Sequence, residues 1–123
     1  MISEKDALQI HSILIERFGG LAGVRDKELL DSALNRPYQT FDEIELYPNP
    51  IAKAAAMLES IVKNHPFNDG NKRTGYVLAR LVLMENQLDI HTNQDQKYKF
   101  VISISTGELN FDQIKKWLEK YVK

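Results

Sequence analysis

The sequence predicts an all-α fold of about six helices, with a small β-flap as the one departure. Apolar residues recur at helical spacing in several separate runs, most of these runs open on a Ser, Asp or Asn, and a single aromatic and acidic stretch, Tyr38–Tyr47, breaks the pattern. With 123 residues, 43% of them hydrophobic, one domain spanning residues 1–123 around one core is expected.

Ser3 and Asp6 resemble a capping box, with Asp in place of the usual Glu or Gln, and Ala7, Ile10, Leu14 and Phe18 then recur on one face. Gly19 and Gly20 end that helix. A short second helix opens at Asp26, presents Leu29, Leu30, Ala33 and Leu34, and stops at Pro37. "YQTFDEIELYPNP" lacks helical periodicity and reads as a surface loop or small hairpin flap. Asn49 then caps a third helix with Pro50 in its first turn, where Ile51, Ala54, Ala55, Leu58, Ile61 and Val62 form a stripe. "YVLARLVLM", Tyr76–Met84, carries Arg80 as its only charge and is expected at the buried centre of the bundle. "QDQKYKFVISISTG" contains a β-branched run, Phe100–Ile104, but its polar start and Thr106-Gly107 stop favour a helix. The last helix follows a cap at Asn110 or Asp112, with Phe111, Ile114, Leu118, Tyr121 and Val122 on one face.

Sixteen basic and seventeen acidic side chains leave a net charge of −1, which provides no overall field for nucleic acid or an anionic membrane. Any anion site must therefore be local. The absence of cysteine removes disulfides, thiolate nucleophiles and Cys-type zinc sites together. His11, His65 and His91 are too dispersed to suggest a metal centre. The opening "MISEKDALQI" is unlike a secretory signal and no run reaches membrane-spanning length, so the expected location is the cytoplasm.

One stretch stands out against this background: "KNHPFNDGNKRTG", Lys63–Gly75, between two apolar helices. Lys72 and Arg73 fall where a helix begins, and a helix N-terminus already carries partial positive charge from unpaired N–H groups. A negative group is missing there. Pro66 ends the preceding helix near Asn64 and brings His65 out of it, while Phe67 is the apolar anchor of the turn. Asn68, Asp69, Gly70 and Asn71 are turn formers, with Gly70 suited to a positive φ. Such a turn can form a concave nest of N–H groups, which together with the two cations suits a phosphate. Asp69 would repel a phosphate, but fits if a magnesium ion bridges the two. His65 is the one side chain able to accept a proton near neutral pH, and nearby cations would keep it neutral.

Taken singly, these residues have ordinary readings: His65 as a helix-ending residue bonded to a carbonyl, Asp69 as a turn or cap residue, Lys72 and Arg73 as a solvated pair. Together they point to phosphoryl or nucleotidyl transfer without a Walker-type glycine loop. Arg80, seven residues after Arg73, either extends the anion site or pairs with a carboxylate, and the ion pair is the expected outcome. Trp117, Phe111 and Tyr121 read as packing residues.

"HPFNDGNKRTG" resembles the Fic/Doc motif, in which a histidine, phenylalanine, acidic residue, small residue, asparagine and arginine follow in this order. "RFGGLAGVRDKELLDSALNRP", Arg17–Pro37, and "STGELNFDQIKKWLEKY", Ser105–Tyr121, are similar to the two ends of the Doc (death-on-curing) branch. This resemblance implies a compact helical Fic fold and a toxin of a type II toxin–antitoxin pair, neutralised by a Phd-like antitoxin. It further implies a kinase that passes the γ-phosphate of ATP to a hydroxyl of elongation factor Tu and halts translation. On the same analogy His65 is the general base, Asp69 helps hold Mg²⁺, and Gly70, Asn71, Lys72 and Arg73 bind phosphate, with Arg73 offsetting charge during transfer.

AMP-transferring relatives commonly have glycine at the position of Lys72 and a second arginine at that of Tyr76, so the sequence leans toward phosphorylation. AMP transfer to a protein hydroxyl, or a non-catalytic module that binds a nucleotide or a partner, are the alternatives. Some Fic enzymes carry an inhibitory helix with Ser or Thr followed four residues later by Glu; here Ser12 and Glu16 precede Arg17 rather than Gly or Asn, which favours a separate antitoxin. The resemblance also implies that the flap, Tyr38–Tyr47, lines a channel for the target peptide, and an ordinary surface loop is the alternative.

Overall fold

In the computed structural model, which describes residues 1–123, all but one of the α-helices open on a side chain that bonds the first turn. Ser3 caps α1 (Glu4–Phe18) in a reciprocal box with Asp6, and Asp26 caps α2 (Lys27–Asn35) by accepting from the Leu29 N–H. Pro37 then sits in a 3₁₀ turn, Arg36–Tyr38, that closes α2. Asn49 caps α3 (Pro50–Asn64), Asn93 caps α5 (Gln94–Ser105), and Asn110 forms a box with Gln113 at the start of α6 (Phe111–Tyr121). Of the two caps expected for the last helix, Asn110 is the one used. The exception is α4 (Asn71–Met84), whose N-cap is Gly70. The ambiguous Phe100–Ile104 run is helical, as its flanks indicated.

The core is centred on α3, which buries nine residues and meets α2, α4, α5 and α6 on different sides. The stripe expected along one face of α3 is thus too narrow a description. Ala52, Ala54, Ala55 and Ala56 are all buried, and small side chains on several faces let neighbouring helices approach. α4 shares the centre, burying Tyr76, Leu78, Ala79, Val82 and Leu83. Where the two helices cross, a Cβ added to Gly75 would lie 3.0 Å from Val62 Cγ2 and 3.2 Å from Ile61 Cγ2. Gly75 therefore sets the α3–α4 spacing. Phe18, expected on the buried face of α1, is 57% exposed at the end of that helix, where the Arg73 side chain rather than the core lies against it.

The flap is a hairpin, with β1 (Thr40–Phe41) antiparallel to β2 (Ile44–Glu45) and Phe41 opposite Ile44. Asp42 and Glu43 both have positive φ, 53° and 65°, as a two-residue loop that follows the strand twist requires. Its root is fixed to α3: Lys53 Nζ donates to Glu45 Oε1 at 2.9 Å, while Arg36 donates to the Tyr47 hydroxyl at 3.0 Å and to Glu59 Oε1 at 2.9 Å. Trp117 stacks on Phe100 with ring centres 3.7 Å apart, the packing role expected of it. No helix is long and apolar enough to cross a membrane.

Gly75→Val tests the spacing. The isopropyl group added at the crossing should lower unfolding free energy by about 2–3 kcal/mol, read from urea denaturation.

Candidate active site

The turn between α3 and α4 is built around a buried ring. Phe67 is completely buried, and Asn71 holds its backbone at both ends: Asn71 Oδ1 accepts from the Phe67 N–H and Asn71 Nδ2 donates to the Phe67 carbonyl, each at 3.0 Å. Both ends of the Asn71 carboxamide are thereby engaged. What Asn71 offers a phosphate in this geometry is its backbone N–H.

On the outer side, the loop Gly19–Asp26 is strapped along the turn. The Arg25 and Asp26 N–H groups donate to the Pro66 carbonyl at 2.8 and 3.0 Å, and the Asn68 N–H donates to the Gly23 carbonyl at 3.0 Å. Asn68 Nδ2 donates to the Ala22 carbonyl and Asp69 Oδ2 accepts from the Leu21 N–H, each at 3.0 Å. Arg25 Nε and Nη2 reach the carbonyls of His65 and Asn64 at 2.7 and 2.8 Å, placing a cation on the C-terminus of α3. His65 is the C-cap of that helix in the left-handed region, φ 52° and ψ 60°, with its side chain exposed. A non-glycine residue adopts this conformation only when its surroundings hold it there.

Gly70 takes the positive φ expected of it, 74°, and α4 starts without a side-chain cap. The N–H groups of Gly70, Asn71, Lys72 and Arg73 have no acceptor within the protein. All four residues line a cavity of about 680 Å³, together with Asp69, the end of α1 and one side of α5. Lys72 forms no ion pair, and the Arg73 guanidinium stands 4.0 Å from the centre of the Phe18 ring. A cationic, donor-rich corner thus meets an aromatic wall. Asp69 Oδ2 is engaged by Leu21, and Oδ1 has no partner. His65 is not part of the cavity lining; it stands at the opposite end of the turn.

Arg80 also lines the cavity, and it forms the ion pair expected of it, with Nε and Nη2 donating to the two Asp89 oxygens at 2.9 and 2.7 Å. These bonds hold the Asp89 carboxyl below its usual range and raise Arg80. Burial pushes the Tyr76 hydroxyl upward, so it stays protonated at neutral pH. Three residues escaped the sequence reading. Lys97 of α5 stands 5.1 Å from the Tyr76 ring centre in the cavity wall. Arg25 holds the carbonyls behind His65, and His11 lies beneath the turn. For His11 a signal existed, a polar residue following Ala7 by one turn on an otherwise apolar face; for Lys97 and Arg25 there was none.

The Fic/DOC family model matches residues 1–83, which include the whole turn and most of α4. This chain belongs to the Fic/DOC family. Within that family it is a Doc-type member: it is 36% identical over 115 residues to a protein named Toxin Doc from Mycolicibacterium smegmatis (strain ATCC 700084 / mc(2)155), covering 92% of this chain and 86% of the relative. It is also 26% identical over 113 residues to Protein kinase doc of Escherichia phage P1, covering 92% and 88%. The Doc resemblance read from the two ends of the sequence agrees with both.

Two outcomes follow for this Doc-type site. Arg25→Ala should lower stability by about 1 kcal/mol in urea denaturation, since two hydrogen bonds from a charged but exposed donor are lost. The Arg80–Asp89 pair gives a pH dependence. Because the folded-state pKa of Asp89 is depressed, its contribution is present above about pH 4 and is lost as pH falls through the folded value. The stability gap between wild type and Asp89→Asn should therefore be widest near neutral pH and narrow in acid, as followed by thermal melts.

Proposed function

We propose that this protein is a Doc-type toxin acting as a protein kinase, which transfers the γ-phosphate of ATP to a hydroxyl of a translation factor. The single observation that carries the reading is the uncapped start of α4: four free N–H groups flanked by Lys72 and Arg73, opening on a cavity, in a chain of this family. Every other α-helix has one first-turn N–H bonded by its N-cap side chain, and α4 has none. A phosphate supplies the missing acceptor and the missing negative charge at once.

In this mechanism the N–H groups of Gly70 and Asn71, with Lys72 and Arg73, bind and orient the phosphates. His65 accepts the proton from the target hydroxyl as its oxygen bonds to the γ-phosphorus, and the bond from that phosphorus to the β,γ-bridging oxygen breaks, releasing ADP. Arg73 offsets charge developing on the phosphoryl oxygens. The donor set also fits Mg²⁺, which is commonly held by one or two carboxylates plus substrate phosphates: Asp69 has a free oxygen beside the phosphate donors. Bound there, the ion would screen the phosphate charge. The hairpin, with Phe41 and Ile44 exposed, offers a strand edge and an apolar surface to the target segment.

By analogy with the family, the target is elongation factor Tu, and a Phd-like antitoxin controls the activity in the cytoplasm. AMP transfer is the second reading, since the motif is shared across the family; Lys72 and Tyr76 at its distinguishing positions favour phosphorylation. A site that only binds nucleotide is the third.

The test uses purified protein, Mg²⁺, elongation factor Tu and ATP labelled separately at the α and γ phosphorus. Label from the γ position is expected on the target, and His65→Ala should reduce it by at least about a hundredfold. Label from the α position would mean AMP transfer, and ATP binding without either label, on this target or on lysate proteins, would mean a binding module.

A further inference from the structure

Beneath the phosphate-binding turn lies a titratable side chain that the transfer reaction does not use. His11, on α1, is 3% exposed, and its ring stacks on Phe67 with centres 3.9 Å apart and planes inclined by 8°. Its Nε2 lies 2.8 Å from the Asp69 carbonyl oxygen. A carbonyl can only accept, so Nε2 carries the proton.

The consequence lies in the next peptide unit. The Asp69–Gly70 bond is trans, and a planar trans peptide directs its C=O and N–H in opposite senses. With the carbonyl drawn inward to α1, the Gly70 N–H is turned away from His11. Gly70 lines the cavity, and its N–H has no acceptor in the protein. The turn sits directly on α1: a Cβ at Gly70 would lie 3.2 Å from Ile15 Cδ1 and 3.7 Å from His11 Nε2. The Asp69 carboxylate is held separately, by the Leu21 N–H, so the His11 bond acts on the backbone side of that residue.

We propose that His11 is a positioning residue which, by holding the Asp69 carbonyl inward, aims the Gly70 N–H at the phosphate. The proposal rests on the reading of this turn as a phosphate site. His11 touches no substrate and exchanges no proton; it acts through the backbone of the turn.

The experiment compares wild type, His11→Phe and His11→Gln in the full chain, with calorimetric titration of Mg·ATP, thermal melts and imidazole ¹⁵N spectra. His11→Phe keeps the stacked ring but has no donor, so it should melt near wild type and bind Mg·ATP about tenfold more weakly. His11→Gln restores a donor near the Nε2 position and should recover most of that loss. Equal affinities for wild type and His11→Phe would overturn the proposal. Should His11→Phe fail to fold, His11→Gln and His11→Asn replace it: Gln reaches the Asp69 carbonyl and Asn does not, so Gln must bind more tightly, and equal binding overturns the idea. The ¹⁵N spectra of the free wild type separate this inference from the functional reading. If Mg·ATP does not bind at all, the phosphate reading falls, while an Nε2–H tautomer still supports the placement of the carbonyl and an Nδ1–H tautomer overturns it.

Discussion

The geometry of the site depends on the burial of Phe67 in an otherwise polar turn. Removing that ring from water contributes about 2–3 kcal/mol, but it also takes the backbone of Phe67 out of solvent. Its N–H and C=O then need partners inside the protein, and Asn71 supplies both. The ring needs a cover, and His11 stacks on it. The segments on either side must reach the surface at fixed points, and the Gly19–Asp26 loop bonds them there. His65 and Asp69 stand two residues before and after Phe67, so their positions are set by where the ring is seated.

The second constraint is electrostatic. α4 begins with no cap, no acidic residue in its first turn and two cations, all of which weaken a helix start by a few tenths to about 1 kcal/mol each. The rest of the bundle has ordinary caps, so the departure is confined to one place. Burial compensates for it: Thr74, Gly75, Leu78 and Ala79 lock α4 onto the core immediately after the exposed start. A helix held so firmly from its second turn onward can leave its first turn open to a ligand.

Much of this was legible in the sequence, because the cues were local. Ser3, Asp26, Asn49 and Asn110 marked helix starts, Pro66 ended α3, and Gly70 took its positive φ. The resemblance carried by His65–Gly75 named the family before any geometry was known. Less visible was everything that depends on packing between distant segments. Periodicity assigned Phe18 to the core, but at the end of the helix the ring stands beside Arg73 instead. α3 looked one-sided because Ala52, Ala56, Met57 and Ser60 fall off the stripe, yet all four are buried where other helices approach. Asn71 looked like a ligand residue, and only the closed loop shows its carboxamide engaged. Arg25, His11 and Lys97 come from three other elements, and no spacing rule links them to the turn.

The strap also bears on the order in which the molecule is assembled. Its side-chain bonds join residues 39 to 48 positions apart, so they form only after a large loop of chain has been closed. Helices made from neighbouring residues need no such closure. A chain that has acquired nearly all its helix can therefore still lack an oriented His65, and circular dichroism would register it as almost native. The orientation of His65 and the helical content are separate milestones in this fold, and the former waits on the joining of α3's C-terminus to a loop about forty residues earlier in the chain.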